Sequence, residues 1–365
     1  MSEKIRILWI HPRLRDYRKS LFDLMSQKYD IRFLFGKKNP ELEDSYNSIY
    51  LRNIRASFKK LLNIKETKIL CKEIKSADIV ISSFLSNKST LIALLLIKIF
   101  KKRLIVWEEQ HYFHQKFIKR IKYFLHTLMA KKVDAFYVMG HPQKDALKKI
   151  GVPSSKIFIA NEYSGIIYNQ IDEKPFDIGI NPQKNHFFLY IGRLIEIKGL
   201  DLLINAFKKL SDDNIHLIIA GSGKEEIHLR HIAKGDNRIK FVGQVNDIEN
   251  KAYLFKNADA LVLPSKITSG KVVEAGGIVI LEALSAGLPV IAAIGANIQF
   301  IKDGITGYKF KVGDSNDLKD KLKIALMKKK RGEMQREKVI EEFKKIPGYQ
   351  SQCNVLEKAI RSALQ

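Results

Sequence analysis

Two cysteines, Cys71 and Cys353, are all that occur in 365 residues. That excludes a disulfide framework and a cysteine-built metal cluster, and it points to a reducing compartment such as the cytoplasm. Long apolar runs are missing as well. The most hydrophobic stretch, residues 91–100, is about half the length a bilayer crossing needs, so no spanning helix is expected. The first ten residues hold an apolar core too short for a signal peptide and broken by Arg6, and they read as a buried first strand. Acidic residues are scarce against basic ones, 39 to 64, for a net charge of +25. About 33 basic and about 14 acidic residues fall in 1–160, so roughly +19 of the excess lies in the first half. A lysine-rich proteome, an anionic membrane surface, an anionic acceptor and nucleic acid all fit that charge. Zinc-finger spacings, RNP-type aromatic boxes and a long arginine-rich tail are absent, so no nucleic-acid partner is expected.

What is present is ordinary globular usage, 45% hydrophobic and 28% charged, which leaves little room for disorder. A chain of this length exceeds what one core usually serves, so two domains are expected. β-rich runs at 5–10, 31–35, 78–82, 104–107, 135–138 and 157–159 alternate with helical spacing at 17–27, 59–75, 89–100, 116–130 and 143–150. Such alternation predicts an α/β doubly wound parallel sheet. Residues 161–185 hold Gly165, Pro175, Gly179 and Pro182 with little periodicity and read as the joint between domains. The rhythm restarts at 186–191 and continues through 200–210, 216–220, 239–242, 248–256, 260–263, 278–286 and 290–293. A basic helical tail follows, interrupted by Pro347-Gly348 before a last helix at about 354–364. The domains are therefore 1–164, a linker at 165–185, and 186–345, with 346–365 as a terminal helix.

The chemistry concentrates in the second half. Glu274-Ala-Gly-Gly-Ile-Val-Ile-Leu-Glu282 frames a glycine pair that opens a helix. Free amides at a helix start suit a diphosphate, and carboxylates on either side of it suit the hydroxyls of a sugar and a ribose. Earlier, Tyr190-Ile-Gly192-Arg193-Leu-Ile-Glu-Ile-Lys198-Gly199 leaves a strand and enters a helix. This puts an arginine and a lysine near the carboxyl end of the sheet, where open α/β folds bind ligands and where both side chains suit phosphate. The next strand ends in Gly221-Ser222-Gly223, a turn through which backbone can approach a ligand. Asp212-Asp213 reads as a loop cap rather than a metal motif.

These blocks, followed by Gly243-Gln-Val245, Asp259 to Ser265 and Gly287-Leu-Pro289, stand in an order that resembles the donor domain of retaining family 4 glycosyltransferases over about residues 186–310. The resemblance implies the GT-B fold, two Rossmann-like domains facing across a cleft, with the C-terminal helix returning to the N-terminal domain. It implies that Arg193 and Lys198 bind the donor diphosphate and that Glu282 holds the ribose. Gly277, Ile278 and Val279 would meet the phosphate, with Gly192, Gly221 and Gly223 in the surrounding turns. Gly243 to Val245 would lie at the base. Glu274 would touch the transferred sugar, as a positioning group rather than a base. His111, with Glu109 as the second candidate, would reach the same sugar from the first domain. The first loop, His11-Pro12-Arg13-Leu-Arg15-Asp16-Tyr17-Arg18, resembles a subset of the family with a Tyr-Arg pair, and Arg15 and Arg18 would contact phosphate or acceptor. The implied donor is a UDP- or GDP-linked sugar, used without metal or other cofactor. The chain departs from the family at Gly276, where many members have an aromatic residue, and in the longer loop 266–273. By the resemblance, both differences would lie beside the donor sugar.

The resulting expectation is a hexosyltransferase acting on a glycan or lipid-linked saccharide, in cell-surface polysaccharide or glycolipid biosynthesis. It would be cytoplasmic, or peripheral on the inner membrane face through the basic first domain and its 98–103 cluster. A nucleotide-sugar epimerase of the same fold, and a polyanion or nucleic-acid binding protein, are the alternatives.

Overall fold

A computed structural model describes residues 4–12, 16–36, 46–51, 64–85, 87–109, 127–268, 271–272, 277–294 and 298–365. The chain forms two compact units, one of Met1–Gly165 with Pro347–Gln365 and one of Ile166–Ile346.

In the first unit, seven parallel strands, β1 (Arg6–His11), β2 (Asp30–Phe35), β3 (Ser48–Tyr50), β4 (Ile79–Ser83), β5 (Arg103–Glu108), β6 (Ala135–Val138) and β7 (Ile157–Ile159), lie in the order β3-β2-β1-β4-β5-β6-β7. The central strands are buried almost end to end, as strands covered on both faces must be. Their alternate side chains feed two cores. Leu8, Ile10, Val80, Leu104 and Val106 face Leu70 and Ile74 of the helix Ile64–Ser76 and Ala93, Leu94 and Ile97 of the helix Lys88–Ile99. Ile7, Trp9, Ile81, Ile105 and Trp107 face Phe22 and Met25 of the helix Lys19–Lys28. On that same face Cys353, Leu356 and Ile360 of the terminal helix Tyr349–Leu364 complete the layer. The Tyr137 hydroxyl donates to Gln352 O at 3.3 Å and the Gly165 N–H to the Tyr349 hydroxyl at 2.9 Å. The terminal helix is thus a structural member of the first unit.

The second unit has β8 (His186–Ile191), β9 (Ile215–Ala220), β10 (Ile239–Gly243), β11 (Ala260–Leu263), β14 (Val290–Ala293) and β15 (Gly307–Phe310) in the parallel order β10-β9-β8-β11-β14-β15. A two-stranded ribbon, β12 (Ile267–Thr268) with β13 (Lys271–Val272), stands apart from it. Strand order reverses between β1 and β4 in the first unit and between β8 and β11 in the second. Those two points are where open α/β sheets receive ligands.

Several elements differ from the sequence reading. Residues 166–185 belong to the second unit instead of linking two domains. Tyr168 is fully buried, with its ring 4.9 Å from Phe255, and Ile178 is buried too. The helix Glu226–Ala233 was not expected, because Ile227 points outward at 86% exposure and breaks the apolar periodicity. Three-residue β3 and the strand β15 also escape the pattern, being short and polar-flanked.

Candidate functional site

Three turns at the carboxyl ends of β8, β9 and β10 are laced together by backbone hydrogen bonds. Gly192 N–H donates to Ala220 O (2.9 Å), Leu194 N–H to Ser222 O (2.9 Å), and Gly221 N–H to Gly243 O (2.6 Å). A Cβ on Gly221 would lie 1.8 Å from Gly192 O, and one on Gly223 would lie 2.1 Å from Leu194 O. The close approach that the Gly-Ser-Gly turn signals in the sequence is therefore to a neighbouring loop's backbone. Gly221→Ala should lower unfolding free energy by about 3 kcal/mol or more, read by urea denaturation. A variant within about 0.5 kcal/mol of the parent would contradict that packing.

The β8 turn carries the two cations. Arg193 is exposed, and its carbonyl accepts the Tyr190 hydroxyl at 2.9 Å. Lys198 is half-buried, and burial first, then the charge of Arg193, pushes its ammonium down to about 8. The turn is fixed to the exit of β11 by the Lys266 N–H, which donates to Ile197 O at 2.9 Å. A half-buried lysine beside an exposed arginine at the β8/β11 switch point is a place where an anion relieves repulsion, and phosphate oxygens match both side chains.

After β11 the chain enters the helix Gly277–Ser285, whose first turn consists of buried Gly277 and half-buried Ile278 and Val279. Their amides are among those with no partner inside the helix. Glu282 lies one turn further on, 8% exposed. Burial raises its carboxyl above the usual carboxylate range, while Lys251 and a hydrogen bond from the Tyr168 side chain pull the other way. Tyr168 is anchored in turn by its N–H to Ser285 Oγ (3.1 Å), and that hydroxyl donates to Glu282 O (2.7 Å). Tyr168→Phe strips a buried carboxylate of a donor and should cost about 1–3 kcal/mol in chemical denaturation. Neither Tyr168 nor Lys251 was singled out in the sequence. The signal for Tyr168 was a large aromatic inside a stretch otherwise rich in Gly, Pro and polar residues. Gly243 ends β10 and Val245 beyond it is 8% exposed, its side chain turned into the unit. Glu274 and Gly276 lie outside the described residues.

In the first unit, the carboxyl ends of β1 and β5 gather a buried polar cluster. Arg18, 8% exposed, donates from its guanidinium to Glu109 Oε1 and to His11 Nε2. It also lies 4.7 Å from the ring centre of Trp107 and 5.3 Å from that of Tyr17. The guanidinium expected to meet phosphate or acceptor is thus engaged within the unit, where it holds the Glu109 carboxylate. The Glu109 carbonyl accepts Gln143 Nε2 at 3.1 Å, and Glu108 Oε2 accepts the Leu85 N–H at 2.8 Å. His11 opens the first-loop motif in the sequence but carried no assigned role there; the first strand holds it at its last position. His111 and Arg15 lie outside the described residues. Asp212 accepts the Asn214 N–H (3.0 Å) and pairs with Lys330 (2.6 Å), a turn cap. Among the described residues no group of three or more His, Cys, Asp and Glu side chains is disposed to hold a metal ion.

Two doubly wound units, the second with a cation pair and a glycine-started helix at its switch point, define the class of GT-B proteins. Residues 170–345, within the second unit, match the family described as Glycosyl transferases group 1. An uncharacterized glycosyltransferase, MJ1607, of Methanocaldococcus jannaschii is 34% identical over 160 residues, 39% of this chain and 39% of that protein. The phosphatidyl-myo-inositol mannosyltransferase of Mycobacterium leprae is 36% identical over 152 residues, 40% of this chain and 38% of its own length. The chain therefore matches about two fifths of the length of these relatives. The crystal structure of Anabaena Alr3699/HepE in complex with UDP and glucose covers 98% of this chain and 100% of its own, with a TM-score of 0.75 and 15% identity. At that identity the likeness is one of fold.

Proposed function

We propose that this protein is a glycosyltransferase that moves a hexosyl group from a UDP- or GDP-linked sugar to a glycan or lipid-linked saccharide, retaining the anomeric configuration and needing no metal ion. The observation that carries this reading is half-buried Lys198 beside the like charge of Arg193 on the β8 turn, a repulsion that an anionic diphosphate would offset. In this reading both cations and the first amides of the helix Gly277–Ser285 stabilise the leaving diphosphate, so that charge developing on it is met by groups already in place. Glu282 holds the ribose hydroxyls, Glu274 positions the sugar, and the departing phosphate takes the acceptor's proton. Support for a nucleotide-sugar donor comes from the UDP and glucose named for the Anabaena structure, and for a lipid-borne acceptor from the name of the Mycobacterium leprae relative. Glycolipid or surface-polysaccharide assembly on the cytoplasmic side follows from that pairing of substrates.

The test is a screen of nucleoside diphosphates and their sugars by thermal shift and by sugar release. A clear rise in Tm with one nucleotide at millimolar concentration, and product whose anomeric proton shows retention, is the expected result. No shift with any nucleotide removes the reading. Interconversion of the donor sugar with no transfer would make the protein an epimerase.

A further inference from the structure

The helix Lys88–Ile99 buries Ala93, Leu94 and Ile97 against β4 and β5 and turns a different stripe outward. Leu91, Leu95 and Ile99 recur every four residues and so share one face. Leu95 is 62% and Ile99 70% exposed and Leu91 is half-buried, while Ile92, Leu96 and Phe100 are half-buried and pack against the core. Large aliphatic side chains lined up in this way on one helix are unusual on a surface that meets only water. Positive charge frames the stripe. Lys98 and Lys101 are exposed at its end, Lys101 in a left-handed turn at φ 52°. The Arg103–Asp134 ion pair (3.2 Å) and the Leu104 N–H bonded to Asp134 Oδ2 (2.8 Å) bring the neighbouring turn to the same corner. That turn adds exposed Lys131 and Lys132, and Leu128 before them is 41% exposed.

We propose that this face docks on an anionic lipid surface, with Leu95 and Ile99 entering the acyl boundary and the four lysines meeting the headgroups. Aliphatic side chains beside lysines fit that occupant: the apolar stripe partitions into the interface and the ammonium groups draw the protein to negative headgroups. A second copy fits less well, because a two-fold contact through this patch would set Lys98 and Lys101 against their equals. Nucleic acid fits less well also, since single strands call for exposed aromatic platforms and this stripe is aliphatic. The inference is independent of the donor reading, because membrane partition is measured without any transfer reaction.

The test is sedimentation of the full chain with vesicles of phosphatidylcholine alone and of equal phosphatidylcholine and phosphatidylglycerol, at low and high salt. Binding to the anionic vesicles alone, weakening as salt rises, is the expected result. Lys98→Gln with Lys101→Asn, the latter chosen because asparagine tolerates the left-handed turn, should weaken partition about 25-fold at low salt. Leu95→Gln with Ile99→Gln should weaken it about tenfold or more at either salt, with an unchanged Tm showing that the fold is intact. Equal binding to neutral vesicles, partition unaffected by either double variant, self-association that the Leu95/Ile99 variant abolishes, or tighter salt-sensitive binding to DNA than to the vesicles would each overturn the proposal.

Discussion

Replacing Glu282 with glutamine should remove most of the rise in Tm expected with UDP or GDP, while the free variant should be at least as stable as the parent at pH 7. The two halves of this result have separate causes. Binding falls because a carboxylate accepts two hydroxyls where an amide offers one acceptor, and charge-assisted hydrogen bonds are worth about 1.5–3 kcal/mol, or roughly 10- to 100-fold in affinity. Stability holds or rises because the buried carboxyl is raised above its ordinary 4.5. A group raised in this way favours the folded state fully only below about 4.5, and that contribution is lost as pH climbs through the folded value. At pH 7 the ionised side chain is therefore a cost that glutamine, still able to accept from Tyr168, does not carry. The Tm difference between variant and parent should shrink as pH falls below about 4.5. Thermal melts across pH, with and without nucleotide, read both effects. A nucleotide shift that survives unchanged in the variant would remove Glu282 from the donor site.

The second large effect is on pH. Nucleoside diphosphate affinity should fall about tenfold between pH 7 and pH 9, because binding selects the charged form of a lysine that releases its proton near pH 8. A bound diphosphate raises that value, so protein and ligand together take up a proton in this window. Calorimetry in buffers of different ionisation enthalpy measures the uptake directly. Lys198→Ala should weaken binding at pH 7 by about 10- to 100-fold and flatten the profile from pH 7 to 9. Arg193→Ala should also weaken binding but move the fall to higher pH, since it removes the like charge that helps hold Lys198 down. A profile that Lys198→Ala leaves intact would place the titration on another group.

Much of this site is written in local sequence. Gly192, Arg193 and Lys198 follow a strand and precede a helix, and the Gly277 helix start follows another. Strand–helix alternation is enough to send both to the carboxyl ends of one parallel sheet. Strand runs at 135–138, 157–159, 186–191, 260–263 and 290–293 match the structure to the residue, because largely buried parallel strands read as short continuous β-rich runs. Where local pattern failed, burial came from elsewhere in the chain. Residues 166–185 look like a linker because their few apolar side chains have no period, yet Tyr168 finds its pocket against Phe255 and Glu282. Arg18 looks like a free cation at a helix entry, yet Glu109, 91 positions away, closes on it.

The sequence by itself determined that there are two doubly wound sheets, which turns carry Arg193, Lys198 and the Gly277 helix start, and that the chain is strongly basic in its first half. These are consequences of short-range periodicity and composition. The tertiary structure alone decided what those groups experience. Lys198 titrates near 8 because folding buries it beside Arg193, and Glu282 resists ionisation because the helix that carries it is packed inside the unit. The same is true of the stripe at Leu95 and Ile99: nine of ten residues from 91 to 100 are apolar, and only packing showed which of them the core left outside. Solvation and proximity are set by the whole chain, and no window of sequence contains them.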